Sequence, residues 1–299
     1  MVIRQTKGDR AFDAINLFFL ALILIFCAYP IWFVLCASIS EPRLVNSGQM
    51  LFFPQGVTWS GYQALFRESD IAIGYRNTIF YTVVGTLINL AVTLPAAYAL
   101  SRKDFVGRNI LTGFFLFTMF FSGGMIPNYL IVQKLHMVNT IWAMLLLGAT
   151  SMYNIILCRT FFVNSIPGEL QDAAEIDGCT NFQLFTRIVL PLSKPIIAVM
   201  VLFFAISHWN SYFTAMLYIT DDNLKPLQLV LQNILVKSDV VTQMMENGQM
   251  DAGLMEESVR ITQLIRYSLI VTASLPVMCL YPFVQKYFVK GVMLGAIKG

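Results

Sequence analysis

Ala14-Ile-Asn-Leu-Phe-Phe-Leu-Ala-Leu-Ile-Leu-Ile-Phe-Cys-Ala-Tyr-Pro-Ile-Trp-Phe-Val-Leu-Cys-Ala-Ser-Ile-Ser40 contains no Asp, Glu, Lys or Arg. At about 1.5 Å per residue, a helix through this stretch is longer than a hydrocarbon core roughly 30 Å thick. Five further charge-free runs follow: Asn77–Leu100, Asn109–Gln133, Leu135–Cys158, Pro195–Thr220 and Tyr267–Gln285. Lipid offers backbone polar groups no water to bond, so each run reads as a helix. A transmembrane barrel would show short strands of alternating polarity instead. The pattern predicts an all-α membrane protein with six transmembrane helices, over residues 14–40, 77–100, 109–133, 135–158, 195–220 and 267–285, in a single domain spanning 1–299.

Composition agrees. Of 299 residues only 12% are charged, against roughly 25% in a soluble globular chain. Hydrophobic residues make up 57%, with 24 Phe, and the net charge is +3. A soluble domain with so few charges could not cover that much apolar surface. Disordered chains, nucleic-acid binders working by bulk positive charge and most soluble enzymes are excluded. Arg4, Lys7 and Arg10 resemble the charged start of a signal peptide. The run after them is far longer than an apolar core of about 7–15 residues, so it reads as a retained first helix. Five cysteines, Cys27, Cys36, Cys158, Cys179 and Cys279, show no framework spacing and read as small apolar residues.

Basic residues in the connections set the orientation. With the N-terminus in the cytoplasm, the inner segments hold Arg4, Lys7, Arg10, Arg102, Lys103, Arg108, Arg159, Arg187, Lys194, Lys286, Lys290 and Lys298. The outer ones hold Arg43, Arg67, Arg76, Lys134, Lys225, Lys237, Arg260 and Arg266. The inner excess places both termini of a multi-pass chain in the cytoplasm. The longer outer segments, Glu41–Arg76 and Asp221–Arg266, read as small caps. The second, with Lys225-Pro226-Leu227 and the stretch Met244–Glu257, is either a docking face for an extracellular protein or a solvated cap.

Several chemistries are missing. There is no Gly-x-x-x-x-Gly-Lys-Ser/Thr phosphate cradle, no His-Glu-x-x-His and no Gly-x-Ser-x-Gly elbow. His136 and His208, the only two histidines, are too few for a histidine-based metal cluster. The spans carry no acidic or basic side chain near their centres, which argues against a proton- or sodium-coupled carrier. Energy for uphill movement would then come from a partner.

One connection differs from the rest. Ser165-Ile-Pro-Gly-Glu-Leu-Gln-Asp-Ala-Ala-Glu-Ile-Asp-Gly-Cys-Thr-Asn-Phe-Gln-Leu-Phe-Thr-Arg-Ile-Val-Leu-Pro191 lies between runs four and five, on the predicted cytoplasmic side. Pro167 suits a helix start, and Glu169 to Ile176 are good helix formers with acids in the early turns. Asp177-Gly178 signals a turn. Thr180 with Gln183 makes a capping box for a second short helix, which Pro191 ends before Pro195 opens span five. The loop over 165–194 is therefore read as helix, turn, helix. Leu170, Ala173 and Ala174 share a face by spacing, with Asp172 beside them as a partner for a basic residue. Two readings remain open from these residues alone: a shape-matched docking site, or an amphipathic helix resting on the membrane.

The pattern Asp172-Ala173-Ala174, three residues, Gly178, nine residues, then Ile188-x-Leu190-Pro191 resembles the EAA loop of ABC-importer membrane subunits. Asp172 stands where that family usually has Glu, keeping the charge on a shorter side chain. Six spans with this loop between four and five are similar to the maltose-type carbohydrate permeases over the whole chain. His208-Trp209-Asn210-Ser211-Tyr212 resembles their Trp-Asn element, and the ending Gly295-Ala296-Ile297-Lys298-Gly299 their C-terminal tail.

The resemblance implies a subunit of the bacterial cytoplasmic membrane, paired with a second permease in the lipid bilayer. An ATPase dimer carrying ATP and Mg would sit below, and an extracellular solute-binding protein would deliver the solute. This chain itself would hold no cofactor, metal or nucleic acid and would not be an enzyme. In the EAA loop Ala173 and Ala174 would give close fit to the ATPase, Asp172 a charge contact, and Asp177-Gly178 the turn. Ile188, Leu190 and Pro191 would anchor the loop against span five. For the path, Trp209 and Tyr212 offer faces that stack on a sugar ring, while Asn210, His208 and, in span two, Asn89 offer hydrogen bonds. The alternative for these polar groups is helix–helix contact. Three functions compete: a carbohydrate (oligosaccharide) importer subunit, a permease of the same family for another solute, and an intramembrane enzyme. The missing catalytic constellation counts against the third.

Overall fold

The computed structural model describes residues 6–67, 69–246 and 265–279. Helix is the regular structure throughout, with no strand among the described residues. The last part of the sixth run, most of the stretch 244–257 and the C-terminal tail 295–299 lie outside the described residues.

The chain divides into two compact units, residues 1–68 with 233–275, and residues 69–232 with 276–299. The first unit opens with α1 (Lys7–Ser38), started by a capping box between Thr6 and Asp9. Short helices α2 (Pro42–Asn46) and α3 (Ser60–Arg67) follow. Cys36, Ala37, Val45 and Met50 form a small core joined by Phe33 and Tyr267, and Ser268 Oγ donates to the Ser38 carbonyl at 3.2 Å. Most of α1 is bare of protein contact.

The second unit is built on α4 (Ser69–Ser101), 33 residues long with Pro95 inside. Proline is tolerated within such a helix when neighbouring helices cover the freed carbonyl. Around α4 lie α5 (Arg108–Phe120), α6 (Met125–Lys134), α7 (Ile141–Leu146), α8 (Met152–Ser165) and α9 (Gly168–Ile176). Then come α10 (Asn181–Leu184), a π turn at Phe185–Val189, α11 (Leu190–Leu192), α12 (Lys194–Trp209), α13 (Tyr212–Tyr218) and the start of α14 (Leu227–Glu246). The largest core draws Leu94, Ala97 and Tyr98 from α4, Ile155, Cys158 and Phe162 from α8, and Ile196, Met200 and Phe204 from α12.

The runs expected as uninterrupted crossings resolve differently. Only α1 and α4 are single helices long and apolar enough to span, and both begin earlier than the charge-free runs. The third run is α5 and α6, bent by 113°. Its break contains Gly123-Gly124, and Gly124 sits at φ +87°, which a side chain would resist. The fourth run is α7, only six residues, and α8, separated around Gly148. The fifth is α12 and α13, interrupted at Asn210-Ser211. Counting charges finds apolar stretches but cannot see breaks made by uncharged residues. A sixth helix, α15, covers Ile265–Cys279.

Candidate coupling site and translocation cleft

The loop between α8 and α12 folds as the sequence predicts at its punctuation. Pro167 caps α9. At the other end Gly178 adopts φ +74°, its N–H bonds the Glu175 carbonyl at 3.1 Å, and the Cys179 N–H bonds the Ala174 carbonyl at 2.9 Å. These two bonds make a Schellman cap, whose left-handed position suits glycine. Thr180 Oγ1 accepts from the Gln183 N–H at 3.3 Å while Gln183 Oε1 accepts from the Thr180 N–H at 2.9 Å, completing the capping box. Pro191 and Pro195 lack the N–H groups that a straight helix would need. The chain widens into the π turn and then bends by 83° into α12, with Ser193 Oγ donating to the Val189 carbonyl at 2.7 Å. Ile188 and Leu190 pack against the large core, whereas Pro191 is exposed.

The face shared by Leu170, Ala173 and Ala174 in spacing is divided in the structure. Ala174 is 4% exposed and belongs to the core with Leu94, Phe162 and Phe185. Glu169, Asp172, Ala173 and Ile176 are exposed, Ile176 at 88%. These four lie at i, i+3, i+4 and i+7, so they form one bare stripe.

The charge contact of α9 within this chain is made by Glu175, not Asp172. Arg102, just past the end of α4, is 8% exposed and holds Glu175 Oε1 at 2.9 Å through Nη2 and Gln171 Oε1 at 3.1 Å through Nη1. It also makes two 2.8 Å bonds to the Asp104 carboxylate. Hydrogen bonding from Arg102 holds the Asp104 carboxyl below its ordinary pKa, and the same carboxylate raises that of Arg102. Two more arginines cap the end of α4: Arg159 Nε donates to the Leu100 carbonyl at 2.9 Å and Arg108 Nη1 to the Arg102 carbonyl at 3.1 Å. Sequence reading had placed all three on the cytoplasmic side by charge but had no means of pairing residues 69 and 73 positions apart.

The five path candidates separate as well. Asn89 is 2% exposed and His208 7%, and they bond each other, Asn89 Oδ1 to His208 Nε2 at 3.0 Å. Asn89 Nδ2 donates to the Gly148 carbonyl at 3.0 Å, where α7 and α8 part. With Oδ1 accepting, Nε2 carries the proton, which assigns the imidazole tautomer. Gly85 makes room for this ring, since a Cβ there would collide with it. Trp209 is buried with its ring edge toward Tyr75. Tyr212 is half-buried and donates to Met216 Sδ at 3.0 Å. Only His208 and Asn210 of the five line a cleft of about 220 Å³, together with Met144, Leu147, Gly148 and Ser207. Asn210 is exposed, its Nδ2 bonding the Ile206 carbonyl at 3.1 Å. The cleft opens where α12 gives way to α13 and α7 to α8.

Comparison with known proteins fits this arrangement. The model of the family described as "binding-protein-dependent transport system inner membrane component" matches residues 71–294. Protein LplC of Bacillus subtilis (strain 168) is 38% identical over 295 residues, covering 99% of this chain and 97% of that protein. The polygalacturonan/rhamnogalacturonan transport system permease protein YtcP of the same organism is 38% identical over 291 residues, 97% of this chain and 99% of that one. The crystal structure of a bacterial ABC transporter involved in the import of the acidic polysaccharide alginate contains a chain 32% identical, with a TM-score of 0.85. That match covers 95% of this chain and 99% of the other. With a family match and relatives that run nearly end to end, this chain belongs to the binding-protein-dependent transport system inner membrane components, the permease subunits of ABC importers.

Proposed function

We propose that this permease forms half of the translocation path of an ATP-driven carbohydrate importer, with oligosaccharide as cargo. A relative is named for polygalacturonan and rhamnogalacturonan and the structural neighbour for alginate, which favours sugar over another solute. Loop 165–194 is the handle for a partner ATPase dimer, and ATP and Mg are held by that partner, not by this chain. A second permease completes the path, and a solute-binding protein delivers the cargo from outside. Both termini and the loop face the cytoplasm.

The observation that carries the coupling reading is the division of α9. One side is fastened to the chain's own body through Ala174, Gln171 and Glu175, while the stripe Glu169, Asp172, Ala173, Ile176 is left bare. An exposed Ile beside an Ala suits close docking, and Glu169 and Asp172 suit a basic rim. Six charge-free runs remain the expectation for the crossings, with broken helices lining the cleft as membrane-depth irregular backbone does.

The test is to purify the chain with its second permease, ATPase pair and binding protein, and to measure ATP hydrolysis across a panel of oligogalacturonides, alginate fragments and neutral maltodextrins. Stimulation by one glycan class is expected. Stimulation by amino acids or phosphate with none from any glycan would overturn the carbohydrate reading.

A further inference from the structure

We propose that Arg102 is a positioning residue for energy coupling: it ties α9 to the cytoplasmic end of α4, so that movement imposed on α9 is delivered to α4. This rests on the reading of α9 as the handle of the ATPase. The guanidinium is almost fully buried and engages Asp104, Gln171 and Glu175 together. A planar fork with five donors can hold three acceptors at once, which the single point charge of a lysine does not reproduce. Asp104 fixes the fork from its own segment, and the remaining donors reach across to α9 alone. Arg159 and Arg108 secure the last carbonyls of α4, the negative end of the helix dipole. Beyond α9, by contrast, the chain reaches α12 only through a π turn, two prolines and a bend of 83°. A sharp bend with missing backbone bonds yields under load more readily than a buried, multiply bonded ion pair. The stiffer route from the handle into the membrane therefore runs through Arg102 into a 33-residue helix. That helix also carries Asn89, bonded to His208 at the edge of the cleft.

Hydrogen exchange on the complete importer in lipid nanodiscs tests this, with ATP, Mg and vanadate as the probe. In the unsubstituted complex the probe changes exchange in both Gly168–Ile176 and the last two turns of α4. In Arg102→Gln and in Glu175→Ala, which break the same link from opposite ends, the response stays on α9 and is lost from α4. Without probe, exchange over Gly168–Ile176 rises about tenfold, the size set by losing one charge-assisted hydrogen bond. The double variant is no worse than either single one. Arg102→Lys recovers little. Should both single variants still transmit the vanadate response to α4, the proposal is overturned. If the unsubstituted chain shows no response in α9, or does not retain the ATPase, it is the handle reading that fails, and this inference with it. Arg102→Gln chains that exchange fast throughout would mark Arg102 as a folding residue and overturn its positioning role, and Glu175→Ala supplies the decisive comparison in that case.

Discussion

Gly178 and Gly85 show two separate reasons for a glycine. Gly178 has open space around it, so the cost of a side chain is backbone strain alone, about 1 kcal/mol for a residue forced into the left-handed region. Gly178→Asn, which tolerates that region, is expected to keep wild-type coupling, whereas Gly178→Val loosens the end of α9 and lowers transport per ATP hydrolysed. Gly85 has no unusual backbone but lies against His208. Gly85→Ala is expected to lower the melting temperature of the purified complex, and combining it with His208→Ala should relieve the steric part of that loss. The polar pair itself is a matter of burial. Asn89→Leu strands the His208 Nε2–H and the Gly148 carbonyl, at about 1–3 kcal/mol per orphaned group. Asn210→Leu, on the exposed rim of the cleft, is expected to leave stability unchanged and to alter transport. If thermal denaturation ranked the two the other way, the division between packing and path would be wrong.

At the scale of the element, α9 makes two neighbouring alanines do opposite work. Ala173→Glu adds charge to the bare stripe, so the folded chain is expected to reach the membrane normally and retain less ATPase on purification. Ala174→Glu puts an unpaired charge into the core beside Leu94 and Phe162, which costs several kcal/mol, and the chain is expected to be degraded before assembly. Equal expression and equal ATPase retention for the two would remove the basis for assigning faces to this helix. The link from α9 to α4 has a defined pH behaviour. Asp104 titrates below the ordinary carboxylate value because Arg102 donates to it. A depressed carboxyl contributes stability that is fully present above its unfolded pKa, near 3.9, and is lost as pH falls through the folded value. Protection of Gly168–Ile176 from exchange should therefore be flat through the neutral range and decline only in strong acid.

For the whole molecule, the decisive expectation is which side of the membrane holds the loop. Val106, 92% exposed between α4 and α5, lies in the same predicted cytoplasmic layer as α9. A Val106→Cys variant is expected to react with a membrane-impermeant thiol reagent in inverted vesicles and not in intact cells. Labelling from outside would invert the topology and separate α9 from any cytoplasmic ATPase.

The sequence by itself determined the membrane class, the runs without charge, the boundaries of the α9–α10 loop and the family resemblance. These follow from composition and from short-range rules: capping, proline and glycine act within a few residues of where they stand. Tertiary structure alone decided which alanine faces the core, that Glu175 and not Asp172 meets an arginine, and that Asn89 and His208 satisfy each other. It also placed the breaks in the third, fourth and fifth runs. Those outcomes depend on which distant segments meet: 73 residues separate Arg102 from Glu175 and 119 separate Asn89 from His208. Polar side chains take the partners that packing brings within reach, and no local pattern in the chain encodes that choice.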